Sequence, residues 1–412
     1  MNLRKYFSLP LAGSAAVLSM MAGWSVTVMA DTSLADTAST VARKGMMVDT
    51  HIDVPDRLEE EWQDVTGHTE DGDFDYERAR QGGLDIPFMS IYTPAESEEE
   101  GTSHQLANTL IDGVEALVGR APDKFMLVKT PDQAVQAHRE GRIGLAMGME
   151  NGSPIDGKLE NVRFFRDRGV SYITLAHSLS NHLSDSSYDE QRKWNGLSPF
   201  GREVVAEMNR LGVMVDVSHL SDDAFWQVLE ISKVPVIASH SSARHFTPGW
   251  ERNMSDEMIR AMAEKGGVIQ INFGSSFITD EARMWFENMV DARDAWMEEH
   301  NYGEDSPERK VFRDGYLAEN PFPFADMDDL MAHFMHVIEL VGIDHVGIGS
   351  DFDGVGDSLP EGMKDVSFYP NLVERFLQLE YSVADIEKVM SGNLMRVWRA
   401  NQAHAKQLAD GP

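Results

Sequence analysis

Apolar residues along this chain gather into eight short runs rich in Val, Ile, Leu and Met. They begin at Met46-Met47-Val48 and continue as GGLDIPFMSIYTP, GRIGLAMGMENG, VSYITLAHSLSNH, GVMVDVSHL, VPVIASHSSAR, EKGGVIQINFG and DHVGIGSDFDG. Segments with helical spacing, such as His104 to Gly119, SDDAFWQVLEISK and DDLMAHFMHVIELVG, separate most of them. Run, helix, run is the signature of parallel strands joined by right-handed crossovers. Eight such runs predict an α/β fold, a (β/α)8 TIM barrel. Residues 45–412 form one barrel domain in this reading. Residues 31–44 serve as a linker or a short leading helix. The stretch from Ser275 to about Asp326 supplies extra helices between strands 7 and 8, and VADIEKVMSGNLMRVW forms a closing C-terminal helix.

Polar residues follow these runs in a pattern of their own. His51 and Asp53 follow the first run, Glu150 the third, His177 the fourth, His219 the fifth, His240 the sixth, and Asp351 with Asp353 the eighth. The carboxyl ends of barrel strands are where ligands and metals bind. A lone strand-end histidine is more often a buried residue bonded to backbone. Separate structural histidines, however, have no reason to share that position. Residues two apart on a strand project together, which pairs His51 with Asp53 and Asp351 with Asp353. Asp49 shares the first face, deeper in, where a structural role fits better. His182 lies farther out on its loop and is expected in solvent. Arg244, His245 and Arg252 follow the sixth run; most loop arginines are merely solvated, though guanidinium suits carboxylate recognition.

The set exceeds what one catalytic zinc takes from protein. It suits two metals about 3.5–4 Å apart. His51 and Asp53 would hold the first, His219 and His240 the second, and Glu150 would bridge them. Asp351 remains as the general base that moves a proton from the bridging water to a leaving amine.

Composition narrows the partners. With 68 acidic against 36 basic residues in 412, the net charge is −32, which disfavours nucleic acid and anionic membrane surfaces. The chain has no cysteine, so disulfides and thiolate ligands are excluded. Arg4 and Lys5, the apolar run from Leu9 to Val28 and Val28-Met29-Ala30 read as a signal peptide over residues 1–30. Export to a bacterial periplasm or medium follows, with no membrane anchor remaining after cleavage.

The ordered pieces VDTHIDVP, GMENG, TLAHSLSN, VDVSHLSD, PVIASHSSAR, ERN, INF and VGIGSDFDG, with PEGMKDVSFYPNLVERF and GNLMRVW, resemble the renal (membrane) dipeptidases. These are dizinc metallopeptidases of the amidohydrolase-like superfamily, and the resemblance covers nearly the whole chain after residue 30. It implies two zinc ions (Zn2+), bridged by Glu150, and hydrolysis of dipeptides by a metal-bridging hydroxide, with D-residues accepted at the C-terminal position. It also implies that His177 stabilises the oxyanion, that Arg252 holds the substrate carboxylate, and that the protein is a homodimer. The alternatives are another amidohydrolase reaction, on an N-acyl-amino acid, lactone or β-lactam, or an exported metal- or peptide-binding protein without catalysis. Animal members carry cysteines, a lipid-anchor signal and a tyrosine after INF. Here Gly274 stands in that place, and the segment from Ser275 to Asp326 is longer.

Overall fold

The computed structural model describes residues 33–303 and 306–411, so the leader expected over residues 1–30 lies outside the described residues. The compact unit begins at Leu34. The segment read as a linker or leading helix is the helix Leu34–Lys44, which buries Ala38, Val41 and Ala42.

Among the described residues there are nine strands: β1 (Met47–Ile52), β2 (Leu84–Tyr92), β3 (Phe125–Leu127), β4 (Ile143–Glu150), β5 (Val170–Thr174), β6 (Met214–Asp216), β7 (Ile237–Ala238), β8 (Val268–Ile271) and β9 (Val346–Ile348). Eight pair in the order β1-β2-β4-β5-β6-β7-β8-β9, every pair parallel. A bridge from Ile52 to Phe352 closes the circuit, with Asp53 N donating to Phe352 O at 2.9 Å and Asp351 N to His51 O at 3.1 Å. The fold is a (β/α)8 TIM barrel. β3, which the apolar pattern did not single out, is three residues long and pairs only with β4, outside the circuit.

Local chemistry repeats around the barrel. Thr130, Ser198, Ser221 and Ser255 cap their helices by accepting from the amides of Gln133, Gly201, Ala224 and Met258. Each such cap contributes about 1 kcal/mol. Gly141, Gly169 and Gly212 then end three helices in the left-handed conformation, just ahead of β4, β5 and β6. β6 ends early for a visible reason. The Asp216 carboxylate replaces a backbone acceptor, taking the amides of Ser218 at 3.1 Å and Ser239 at 2.8 Å.

At the end where the strands begin, Val48, Ile86, Phe88, Ala146, Met214, Ile237 and Val268 form an apolar floor. The closing helix, Asn393–Asp410, seats Trp398 against it, 5.2 Å from Phe88. Between β8 and β9 lie the expected extra helices, Ser275–Ile278, Asp280–Glu299 and Glu308–Glu319. No helix among the described residues is long and apolar enough to cross a membrane.

Candidate active site

At the opposite end of the barrel the predicted side chains converge on Glu150, the last residue of β4. Its two oxygens face different partners. Oε2 lies 3.3 Å from His51 Nε2, while Oε1 lies 3.1 Å from both His219 Nε2 and His240 Nε2. Asp53 Oδ2 lies 3.4 Å from His51 Nε2 on the first side, and Asp351 Oδ1 lies 3.9 Å away. His177 approaches the second side, with Nε2 3.8 Å from Glu150 Oε1 and its ring 4.3 Å from His219. All of these except His177 are buried.

The strands deliver these groups in different ways. His51 is still in β1, and its partner Asp53 is the first residue past it. His219 and Asp351 sit beyond their strand ends with φ of 65° and 66°, left-handed values that L-residues seldom adopt. Asn151, just after Glu150, has φ 68°. Strained backbone of this kind persists where the surrounding structure over-determines it. Asp351 is fixed by Asn272, whose Nδ2 donates to Oδ2 at 2.7 Å.

The imidazole tautomers follow from hydrogen bonds behind the site. Tyr172 Oη donates to Thr50 O at 2.9 Å, so at 2.8 Å it accepts from His51 Nδ1. Ser239 Oγ donates to Asp216 Oδ2 at 2.6 Å, so at 2.7 Å it accepts from His240 Nδ1. Arg252 Nη2 donates to His219 Nε2 at 2.9 Å. In the neutral imidazoles this leaves Nε2 of His51 and of His240 unprotonated beside the Glu150 carboxylate, while His219 Nε2 takes the Arg252 donor with its lone pair. His219 and His240 Nε2 face each other at 2.7 Å, and His51 Nε2 is buried with no hydrogen-bond partner. Converging acceptors without a shared proton repel one another; a cation among them removes the repulsion. Three groups could each hold a metal ion: His51 with Glu150 and His240, Glu150 with His177 and His219, and His51 with Asp53 and Asp351. The donor set of imidazole and carboxylate fits a divalent metal.

Burial alone would push Glu150 up, but His51, His177, His219 and His240 together outweigh it and hold the carboxyl well below its usual range. Burial pushes His219 and His240 well down, helped by Arg252 and His51 respectively. Burial, which His51 opposes and Asp53 and Glu150 reinforce, pushes Asp351 up to about 8.

Arg252 is buried beside this cluster. Nη1 donates to Ser241 Oγ at 3.0 Å and Nη2 also reaches His240 O at 2.9 Å. No carboxylate among the described residues lies within ion-pair distance of it, and Nε is unpartnered. Arg244, by contrast, is spent on Asp222, at 2.6 and 2.7 Å.

Other expectations need correction. Asp353 does not share a face with Asp351, because the chain has left β9 and turned left-handed at both positions. Its Oδ1 accepts from Asp73 N at 2.6 Å and lies 3.5 Å from Arg57. His177 lies in the loop after β5, which ends at Thr174. His182 is half-buried, with Nδ1 3.2 Å from Glu98 Oε1. Asp49 is structural, as expected, and accepts from the amides of His51 and Ser350. The residues that sequence reasoning missed are Tyr172, Asp216, Ser239 and Asn272. Only Asp216, a carboxylate inside the apolar run VMVDV, carried a signal.

Comparison with known proteins gives one answer. A family model described as membrane dipeptidase (peptidase family M19) matches residues 35–411. An uncharacterized dipeptidase of Schizosaccharomyces pombe is 31% identical over 393 residues, spanning 90% of this chain and 83% of its own. A dipeptidase of Claviceps purpurea is 31% identical over 344 residues, spanning 82% of this chain and 70% of its own. Among solved structures, the probable dipeptidase PvdM from Pseudomonas aeruginosa is similar with a TM-score of 0.77 at 25% identity, covering 90% of this chain and 99% of that one.

Proposed function

This chain belongs to the membrane dipeptidase family of metallopeptidases, and from that premise we propose how its own residues cleave a dipeptide. The observation that carries the reading is the divided Glu150 carboxylate, one oxygen toward His51 and the other toward His219 and His240. Two zinc ions fit this arrangement, one with His51 and Asp53, the other with His219 and His240, and Glu150 touching both. Bound there, they would polarise the amide carbonyl and lower the pKa of a water molecule.

The remaining steps belong to side chains. Arg252, buried without a carboxylate of its own, holds the C-terminal carboxylate of the substrate through paired N–H donors. A buried charge lacking its partner is costly, so the substrate is bound partly by relieving that cost. His177 Nε2, on the rim beside Glu150, donates to the carbonyl oxygen as charge develops on it. Asp351, oriented by Asn272, takes a proton on Oδ1 and returns it to the departing amine. Residues 1–30 act as a leader that exports the chain to a bacterial periplasm or medium, and the mature protein is a homodimer of single-barrel chains.

The test is turnover of the zinc-loaded protein on L,L- and L,D-dipeptides beside matching tripeptides and C-terminal amides. Cleavage confined to dipeptides with free termini is expected. Equal cleavage of the amides would remove the carboxylate role of Arg252. No cleavage at all, with two metals bound, would overturn the reading.

A further inference from the structure

Three aromatic side chains stand near Arg252 at the carboxyl end of the barrel, Tyr188 and Trp250 from two loops and Phe277 from the helix Ser275–Ile278. The guanidinium carbon of Arg252 lies 5.1 Å from the ring centre of Phe277. Phe277 lies 5.2 Å from Trp250, Trp250 lies 6.1 Å from Tyr188, and Tyr188 lies 5.8 Å from His219. His219 returns to Arg252 through the 2.9 Å contact between Nε2 and Nη2. The five side chains close a ring. Tyr188 is 41% exposed, and Trp250 and Phe277 are half-buried, so apolar surface is left open at the place where substrate would bind.

From this ring we infer that the protein selects dipeptides whose C-terminal residue carries an aromatic side chain. The inference rests on the dipeptidase reading above and adds the substrate class. A carboxylate held by Arg252 is bonded to the α-carbon of that last residue. Its side chain therefore starts next to the rings that pack around Arg252. Aromatic pairs at these spacings attract one another beyond the area they bury. The first residue of the dipeptide points the other way, its amine toward Glu150.

Gly274 is part of the device. A Cβ built there would come within 2.9 Å of both the Phe277 ring and Val355 Cγ1. The bare backbone at 274 admits the Phe277 ring to the wall.

The test is the ratio of kcat/KM for Ala-Phe to that for Ala-Gly, with Phe-Ala as positional control, on the zinc-loaded full chain. Because it compares two substrates on one preparation, the ratio is independent of the fraction folded. A ratio on the order of 100 is expected. Trp250→Ala and Phe277→Ala should each lower it about tenfold, and Gly274→Ala should lower it by displacing the Phe277 ring. A ratio near one would overturn the inference while leaving the dipeptidase reading intact. So would preference for Phe-Ala over Ala-Phe, or ratios unmoved in all three variants. Failure to cleave any dipeptide would overturn the dipeptidase reading, and this inference with it.

Discussion

At the floor of the barrel the inward side chains are Val48, Ile86, Phe88, Met214, Ile237 and Val268, sealed by Trp398. At the mouth the same strands, or the turns that follow them, deliver His51, Glu150, His219, His240 and Asp351. These floor side chains carry no charge. The mouth concentrates buried acceptors, left-handed backbone and an arginine without a carboxylate. Stability is gathered at one end and spent at the other. The mouth is therefore the end that a bound ligand stabilises most, because ligand binding to the folded state alone adds directly to its stability.

Four changes would break or sharpen this contrast. The largest effect is expected from Glu150→Gln, which removes a charge from both halves of the cluster. It should cut kcat/KM on the order of 1000-fold or more and lower bound metal, measured by elemental analysis, with the far-UV spectrum unchanged. Full metal content and normal turnover would deny Glu150 its bridging place. Next is Trp398→Ala at the floor. It should cost about 3–5 kcal/mol in urea unfolding while metal affinity in the folded protein stays as it was. A larger effect on metal than on unfolding would erase the distinction between the ends.

The third concerns His333, buried beneath the loop that carries Arg252. It accepts from Ala243 N at 3.1 Å and its Nε2 donates to Ile278 O at 2.9 Å. Burial lowers it from 6.5 to about 4. The unfolded chain thus binds this proton more tightly. The stabilisation is complete above pH 6.5 and is lost as pH falls toward 4, by about 3 kcal/mol in all. Urea unfolding of His333→Gln from pH 7 to 4 should show a shallower decline than the parent. Parallel curves would exclude the residue as a source of acid sensitivity.

The smallest effect is expected at Tyr172, which belongs to both ends. Its ring packs in the floor cluster and its hydroxyl orients His51. Tyr172→Phe should weaken metal binding about 10–100-fold with little change in unfolding. An unchanged dissociation constant in a metal-buffer titration would show that His51 needs no such support.

The sequence announced the mouth more clearly than the floor. His51, Glu150, His219, His240 and Asp351 were legible because a polar side chain after an apolar run has few structural uses. The eight barrel strands were legible as apolar runs separated by segments of helical spacing. β3 was not, since three residues are too few to set a period. Tyr172 and Ser239 were invisible because their roles depend on contacts across strands that sequence spacing does not encode. Asp353 was misread because alternation assumes extended backbone, and the chain at 351 and 353 is left-handed. His177 and Arg252 lie on loops, where spacing predicts no direction, and only the family resemblance gave them a part.

The seam of the barrel has a consequence for how the protein is made. Asp49, beside the first candidate ligand, is pinned by the Ser350 amide, 301 residues later, and by the Tyr369 hydroxyl. His51, Asp53, Glu150, His219 and His240 all emerge from the ribosome well before that clasp exists. Contacts of such long range form late. A chain stopped after β8 would carry each of these candidate ligands without Asp351 and without the clasp on Asp49. Its parallel strands would stay open at both edges, exposed to aggregation and proteolysis until β9 arrives.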